Sequence, residues 1–290
     1  MNMFIIKDAV PAEIGRVRLD PIRSLWLWGM AVPGLLSGIP ALSPVTTALA
    51  LLLTLGTLCL GHSVGLHRGI IHRSYECSPL LRGFLAWLFV LSGLGGPLSW
   101  ARLHAVRDYW QNQGDCPRYF AYNHGLLVDF GWNLHCRFEA ADARADARLP
   151  ADVLEDRWLR FLEATWPLHV LALAGLFFLT LGPGAVAVCI CARTAAGIAG
   201  HWFVGYAAHS WGERPHAIAG AKECGTNLRL LGALSFGEGF HNNHHAFPGS
   251  AQMGLRPDQV DLGWITLGAL RRLGLVRSVL TSDPRTRDHH

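Results

Sequence analysis

Histidine carries the most chemistry in this sequence. His67-Arg-Gly-Ile-Ile-His72, a lone His104, His209, and His241-Asn-Asn-His244-His245 together use seven of the chain's 15 histidines. Neutral imidazole is a good ligand for iron, copper, nickel and zinc, and residues at i, i+3 and i+4 project from one side of a helix, so HxxHH is a chelating pattern. A histidine taken singly is more often an ordinary buried or surface residue. HxxHH combined with HxxxxH points to a metal.

Other metal and nucleophile chemistries lack their residues. Glu213-xx-His216 has Pro215 inside it, and Glu238-xx-His241 overlaps HxxHH, so a soluble di-iron bundle built on two ExxH pairs is not supported. HExxH, a Gly-rich phosphate loop and GxSxG do not occur. The seven cysteines are odd in number and include no CxxC, which argues against a disulfide framework or a thiolate zinc site.

The elements that must position these histidines are apolar. Hydrophobic residues make up 51% of the 290 and charged residues 16%, against about a quarter for soluble domains. From Ser24 to His67 there are 44 residues without Lys, Arg, Asp or Glu, broken by the Gly and two Pro of Ser37 to Pro44. This predicts two spans, about 25–41 and 45–66, joined by a turn. A second block, Trp166 to Trp211, is broken by Gly182-Pro-Gly184 and holds one charge, Arg193, which predicts spans at about 166–182 and 185–208. Arg193 reads as a structural anchor facing the interior or a polar partner.

Neither hairpin turn carries Lys or Arg, whereas Lys7, Arg16, Arg18, Arg23 and many central arginines do, so both termini and the central segment are expected in the cytoplasm. The stretch 83–101 is long enough to cross but contains Gly93 to Pro97. A crossing there would put His104 opposite His67 and His72, so it is expected to be interfacial or re-entrant. Residues 137–163 read as a solvated helical face, and 258–276 as an amphipathic helix on the membrane surface. The formal charge of +4 has no run that would grip nucleic acid, and the start of the chain shows no cleaved signal peptide.

The same residues carry a resemblance. HRGIIHRSYE (His67 to Glu76), Trp100-Ala-Arg102 before His104, AAHSWGERP (Ala207 to Pro215) and GEGFHNNHHAFP (Gly237 to Pro248) are similar to the membrane-bound fatty acyl desaturases of the stearoyl-CoA type. Order, spacing and topology match over roughly 25–276. The resemblance implies an all-α polytopic fold in one domain, 1–290, with four spans in two hairpins and a cytoplasmic helical cap at 102–165 and 209–290. It further implies two irons held by histidine, with dioxygen used to remove two hydrogens from an acyl chain.

Carried over by position, the metal ligands are His67, His72, His104, His209, His241, His244 and His245. Two box positions after His104 depart from the family's histidines and are Arg107 and Asp108, and the family's asparagine one turn before His209 is Gly205. Arg107 has no lone pair to donate, so that ligand is lost. Asp108, one turn beyond His104, is open between a carboxylate ligand and a salt bridge or helix cap. His62, His201 and Arg107 are expected as buried supports behind the ligands, with His201 a candidate to fill the place of the absent asparagine. Trp100, Trp202 and Phe240 are candidates to line an acyl tunnel, and His124, His135, His169 and His216 read as ordinary.

One iron site is expected to be weakened. Desaturation is the expected reaction. Hydroxylation, acetylenic-bond formation, or a non-catalytic lipid-binding relative are the alternatives that Arg107 and Asp108 keep open. The expected partners are an acyl-CoA, acyl-lipid or acyl-carrier-protein substrate and a separate ferredoxin or cytochrome donor with its reductase. The expected location is a bacterial inner membrane.

Overall fold

A computed structural model describes residues 5–6, 9–122, 124–141, 149–222 and 225–281. The chain is mostly helical. After a short strand β1 (Ile5–Ile6) and β2 (Gly15–Leu19), helix α1 (Pro21–Pro33) continues as a wider turn through Gly34–Gly38, and α2 (Pro44–Ile71) returns beside it. Strand β3 (Glu76–Cys77), α3 (Pro79–Val90), α4 (Pro97–Gln111), α5 (Leu126–His135) and β4 (Cys136–Ala140) follow. A single turn, α6 (Ala151–Leu154), precedes the long α7 (Arg157–Leu181) and α8 (Pro183–Ser210). Short helices α9 (Arg229–Leu234) and α10 (His241–Ala246), then α11 (Leu262–Arg272) and β5 (Val276–Arg277), complete it.

The helix starts are written locally. Asp20 accepts from the backbone N–H groups of Ile22 and Arg23 ahead of Pro21, Ser43 and Thr46 cap α2 reciprocally ahead of Pro44, and Ser78 caps α3 ahead of Pro79. Helix α4 has no such residue of its own. Its N-terminal Leu98 and Ser99 donate at 2.9 and 3.1 Å to Glu163, a side chain from α7. Gly182, at φ 83°, separates α7 from α8.

Among the described residues α2, α7 and α8 are long and apolar enough to cross a membrane. They run past the expected limits: α2 goes on beyond residue 66 to Ile71, and α7 begins at Arg157 rather than 166, because Asp156 caps it there. Leu168, Leu171, Leu176, Phe178 and Leu179 are exposed along α7, a surface suited to lipid rather than water. The α1 segment and its wider turn cover 13 and 5 residues, about 27 Å of helix at ~1.5 Å per residue.

Glycine brings α2 and α3 together. A Cβ on Gly61 would stand 2.3 Å from the Phe89 backbone nitrogen, and one on Gly65 would stand 2.7 Å from the Leu85 Cβ, so this GxxxG lets two backbones touch. Leu66, Ile70, Phe89, Leu98, Leu159 and Leu162 form the core beside that seam, where α2, α3, α4 and α7 meet. Arg193 is buried in α8 and donates to Thr57 Oγ1 of α2 at 3.0 Å and to the Leu91 carbonyl after α3 at 2.9 Å, which makes it the interior anchor expected of it.

Three features depart from the expected elements. Strands β1, β2 and β4 form a small antiparallel sheet, with Leu19 opposite Cys136, so part of 137–163 is strand rather than a helical face. Residues 83–101 hold two helices, α3 ending at Val90 and α4 starting at Pro97, with a turn at Gly93 between them. The tail helix is the shorter α11, which buries Leu267 and Gly263 while Ile265 is exposed.

Candidate metal centre

Helix α10 straddles the site. His241 and His245, one turn apart, face His209 at the end of α8; their ligand atoms lie within 4.8 Å of one another. His244, on the other side of the turn, joins His67 and His72 from the end of α2 and His104 from α4 in a second group on the same criterion. The two groups adjoin, with the His244 and His245 rings 5.7 Å apart. All seven histidines named from the sequence are thus gathered. Those read as ordinary have other partners: His124 bonds Asp129, His135 bonds Ser24, His169 bonds Trp87, and the backbone of His216 bonds Asn242. His289 and His290 lie outside the described residues.

The donors fit a metal. His104 Nε2 stands 3.1 Å from both His67 Nε2 and His72 Nε2, and two nitrogens on one ion at about 2.1 Å stand roughly 3.0–3.4 Å apart between octahedral and tetrahedral angles. Buried ring nitrogens of His209 and His245 have no hydrogen-bond partner, an arrangement that disfavours the protein by about 1–3 kcal/mol each unless an ion or a solvent molecule satisfies it. Burial first, and then neighbouring imidazoles, push His72 and His241 well below the usual histidine range. Burial, against the opposing Asp108 carboxylate, brings His245 to about 4. These rings are neutral donors at neutral pH.

Asp108 borders the four-histidine group and meets three of its members. Its Oδ2 is 3.2 Å from His104 Nε2, 3.7 Å from His72 Nε2 and 3.9 Å from His244 Nε2. Burial opposes its ionisation, but His104 and His244 outweigh this and hold the carboxyl well below the usual carboxylate range. Arg107 turns the other way: its guanidinium bonds Asn133 of α5. Asn133 in turn donates at 2.6 Å to the fully buried Asp129, which also receives Trp202 Nε1 at 3.1 Å.

Tyr122 occupies the space near Gly205. Its ring stacks on His209 at 4.5 Å and 6°, and its hydroxyl lies 3.3 Å from where a Gly205 Cβ would stand. Tyr122 has φ 48°, an uncommon left-handed conformation that holds the ring there. His201, expected near that place, instead meets His62 edge to face at 4.8 Å.

Two supports were invisible in the histidine pattern. Glu238 Oε2 lies 2.6 Å from His67 Nδ1, and its Oε1 accepts from Ser63 at 2.6 Å and Arg68 at 3.3 Å. The buried Arg68 is held by both oxygens of Asp261, at 3.0 and 3.2 Å. A carboxylate behind a ligating imidazole fixes its tautomer and orientation. The carboxylate three residues before His241 was a usable signal for Glu238, whereas nothing in the sequence links Asp261 to His67. Asn227 accepts from the backbone N–H groups of Asn242 and Asn243 at 3.1 and 3.2 Å, pinning the six-residue α10.

A cavity of about 310 Å³ leads from both groups up between α2 and α8. Trp100, His62 and His201 line it, together with Leu58, Ala196 and Gly197 at its apolar end. Trp202 and Phe240 are not on its wall: Trp202 is drawn to Asp129, and Phe240 is fully buried against Gly232.

Helices long and apolar enough to cross a membrane, ending in two histidine groups that could hold metal beside a largely apolar cavity, are the traits of a membrane-associated metalloprotein. The chain belongs to the fatty acid desaturase family, whose family model, described as "Fatty acid desaturase", matches residues 43–257. It is 32% identical over 274 residues to the sn-1 stearoyl-lipid 9-desaturase of Anabaena variabilis, covering 92% of this chain and 96% of that one. It is 30% identical to the sn-2 palmitoyl-lipid 9-desaturase of Nostoc sp. (strain 36), over 84% of this chain and 85% of the relative. To the acyl-CoA C20 Delta5-desaturase of Anemone leveillei it is 29% identical, over 76% and 69%.

Proposed function

We propose that this protein is an iron- and dioxygen-dependent fatty acyl desaturase of one domain, 1–290. The observation that carries the reading is the convergence of seven histidines into two groups at the wall of an apolar cavity. His67, His72, His104 and His244, with Asp108 as a fifth donor, would hold one iron; His209, His241 and His245 would hold the other. When bound, the irons supply the oxidising power, with dioxygen, to take two hydrogens from neighbouring acyl methylenes.

The chain's own residues orient and exclude. Trp100 and the facing helices hold the acyl chain in single file beside the histidines and keep bulk water from them. Glu238 lies 2.6 Å behind His67 Nδ1, on the side away from the group, so that Nε2 is the nitrogen that faces it. The three-histidine group has fewer donors and shares the cavity wall with the Arg107 cation, so the second iron is the weaker one.

Four spans are proposed, α1 with α2 and α7 with α8, with both termini and a helical cap in the cytoplasm of a bacterial inner membrane. Helix α3 and the turn before α4 lie at the interface rather than across it, since 12 residues reach only about 18 Å. The electrons come from a separate ferredoxin- or cytochrome-type donor, and the acyl group arrives on coenzyme A, a lipid or an acyl carrier protein. Lipid profiles of a host expressing the protein or its His244→Ala variant, together with iron analysis of both, test the reading. New double bonds that vanish with His244→Ala are expected, with iron between one and two per chain. A hydroxylated or acetylenic product replaces the reaction assigned here, and an iron-free protein with no new lipid makes it a non-catalytic lipid-binding relative.

A further inference from the structure

Neither metal group uses the two imidazoles inside the cavity. His62 is 4% exposed, and its Nε2 has no hydrogen-bond partner. His201 meets it edge to face at 4.8 Å, Trp100 closes on it at 4.6 Å, and all three line the cavity. Beyond them the wall becomes apolar again at Leu58, Ala196 and Gly197. A bare hydrocarbon threading this path offers an imidazole nothing to bond, and aliphatic side chains would line it better.

Resting on the acyl-substrate reading above, we propose that His62 and His201 form a polar subsite, and that the preferred substrate is an acyl chain carrying a hydroxyl group. A hydroxyl both donates and accepts, so it satisfies either imidazole tautomer, whereas a carbonyl satisfies only one. Its place along the chain follows from the geometry. The His62 ring is 6.2 Å from the His67 ring, so the hydroxyl sits within a few bonds of the carbons beside the metal group. Leu58 lies four residues before His62 in α2, on the apolar side of the subsite.

The test is a displacement assay on the purified full-length protein. Labelled stearic acid is displaced by stearic acids whose single hydroxyl moves one carbon at a time. One or two adjacent positions should bind about tenfold more tightly than plain stearic acid, because a site with a buried polar group rejects the analogue that leaves it unpaired. His62→Leu and His201→Leu should bring that ratio to about one, and His62→Gln, which keeps a donor and an acceptor, should retain part of it.

A series without a positional optimum, as expected if a fixed water satisfies His62, overturns the subsite; so does an optimum that persists in both leucine variants. Should one variant fail to fold, the wild-type series and the other variant still decide. A binding optimum without any desaturated product leaves the subsite standing and removes the reaction, whereas desaturation with no optimum does the reverse.

Discussion

At the scale of residues, this site is a set of imidazoles made into donors by burial and aimed by carboxylates. Glu238 is the clearest aiming residue, because it touches His67 Nδ1 on one oxygen and is itself held by Ser63 and Arg68 on the other. Glu238→Gln should lower iron affinity roughly 10- to 100-fold with little change in fold, measured by competition with a chelator; an unchanged affinity would remove Glu238 from the site. The depressed histidines also set an acid limit. An unfolded chain protonates His245 near 6.5, whereas the native one does so only near 4, so the unfolded state binds more protons between those values. Stability of the metal-free protein should therefore fall as pH drops from about 6.5 to about 4, with His72 and His241 steepening the slope. Thermal midpoints at stepped pH read this directly, and a flat profile across that window contradicts it.

At the scale of elements, the histidines are placed by helix ends that other elements hold. Helix α4 carries His104 and Asp108, yet its first N–H groups are satisfied by Glu163 from α7. Helix α2 carries His67 and His72, and its approach to α3 depends on Gly61 and Gly65. Gly61→Ala forces a methyl against the Phe89 backbone, where no flexible side chain can give way. A loss of about 1–3 kcal/mol is expected, read as a lowered unfolding midpoint together with reduced iron content, since α2 cannot shift without moving His67. Gly131→Ala, in open space inside helix α5, is the matched control: alanine favours the helix by about 0.5–1 kcal/mol, so neither midpoint nor iron content should fall.

At the scale of the whole molecule, all seven histidines meet only if the segment between α2 and α4 stays on one side of the bilayer. Helix α3 is too short to cross, and Trp26 of α1 donates to the Gly93 carbonyl in the turn after it, at 2.9 Å. A cysteine placed at Leu94, in the same turn, should label from the cytoplasmic face alone; labelling from the periplasm defeats the proposed topology.

The sequence alone determined the apolar blocks, their breaks at Gly and Pro, and the seven histidines, because bilayer length and imidazole chemistry are written in residue type and spacing. Family membership was legible for the same reason, in four motifs whose order the family match over 43–257 covers. Tertiary structure alone decided which histidine serves which group, since the α10 turn divides His244 from His241 and His245, and it brought Asp108 to the first group while binding Arg107 to Asn133. It also joined residues far apart in the chain. Tyr122 fills the space at Gly205, Asp261 reaches the site through Arg68, and the sheet pairs β2 with β4, because partners separated by tens of residues leave no periodic trace in either segment. His62 and His201 looked like supports behind the ligands, and only the packing of α2 against α8 set them together in the wall of the cavity.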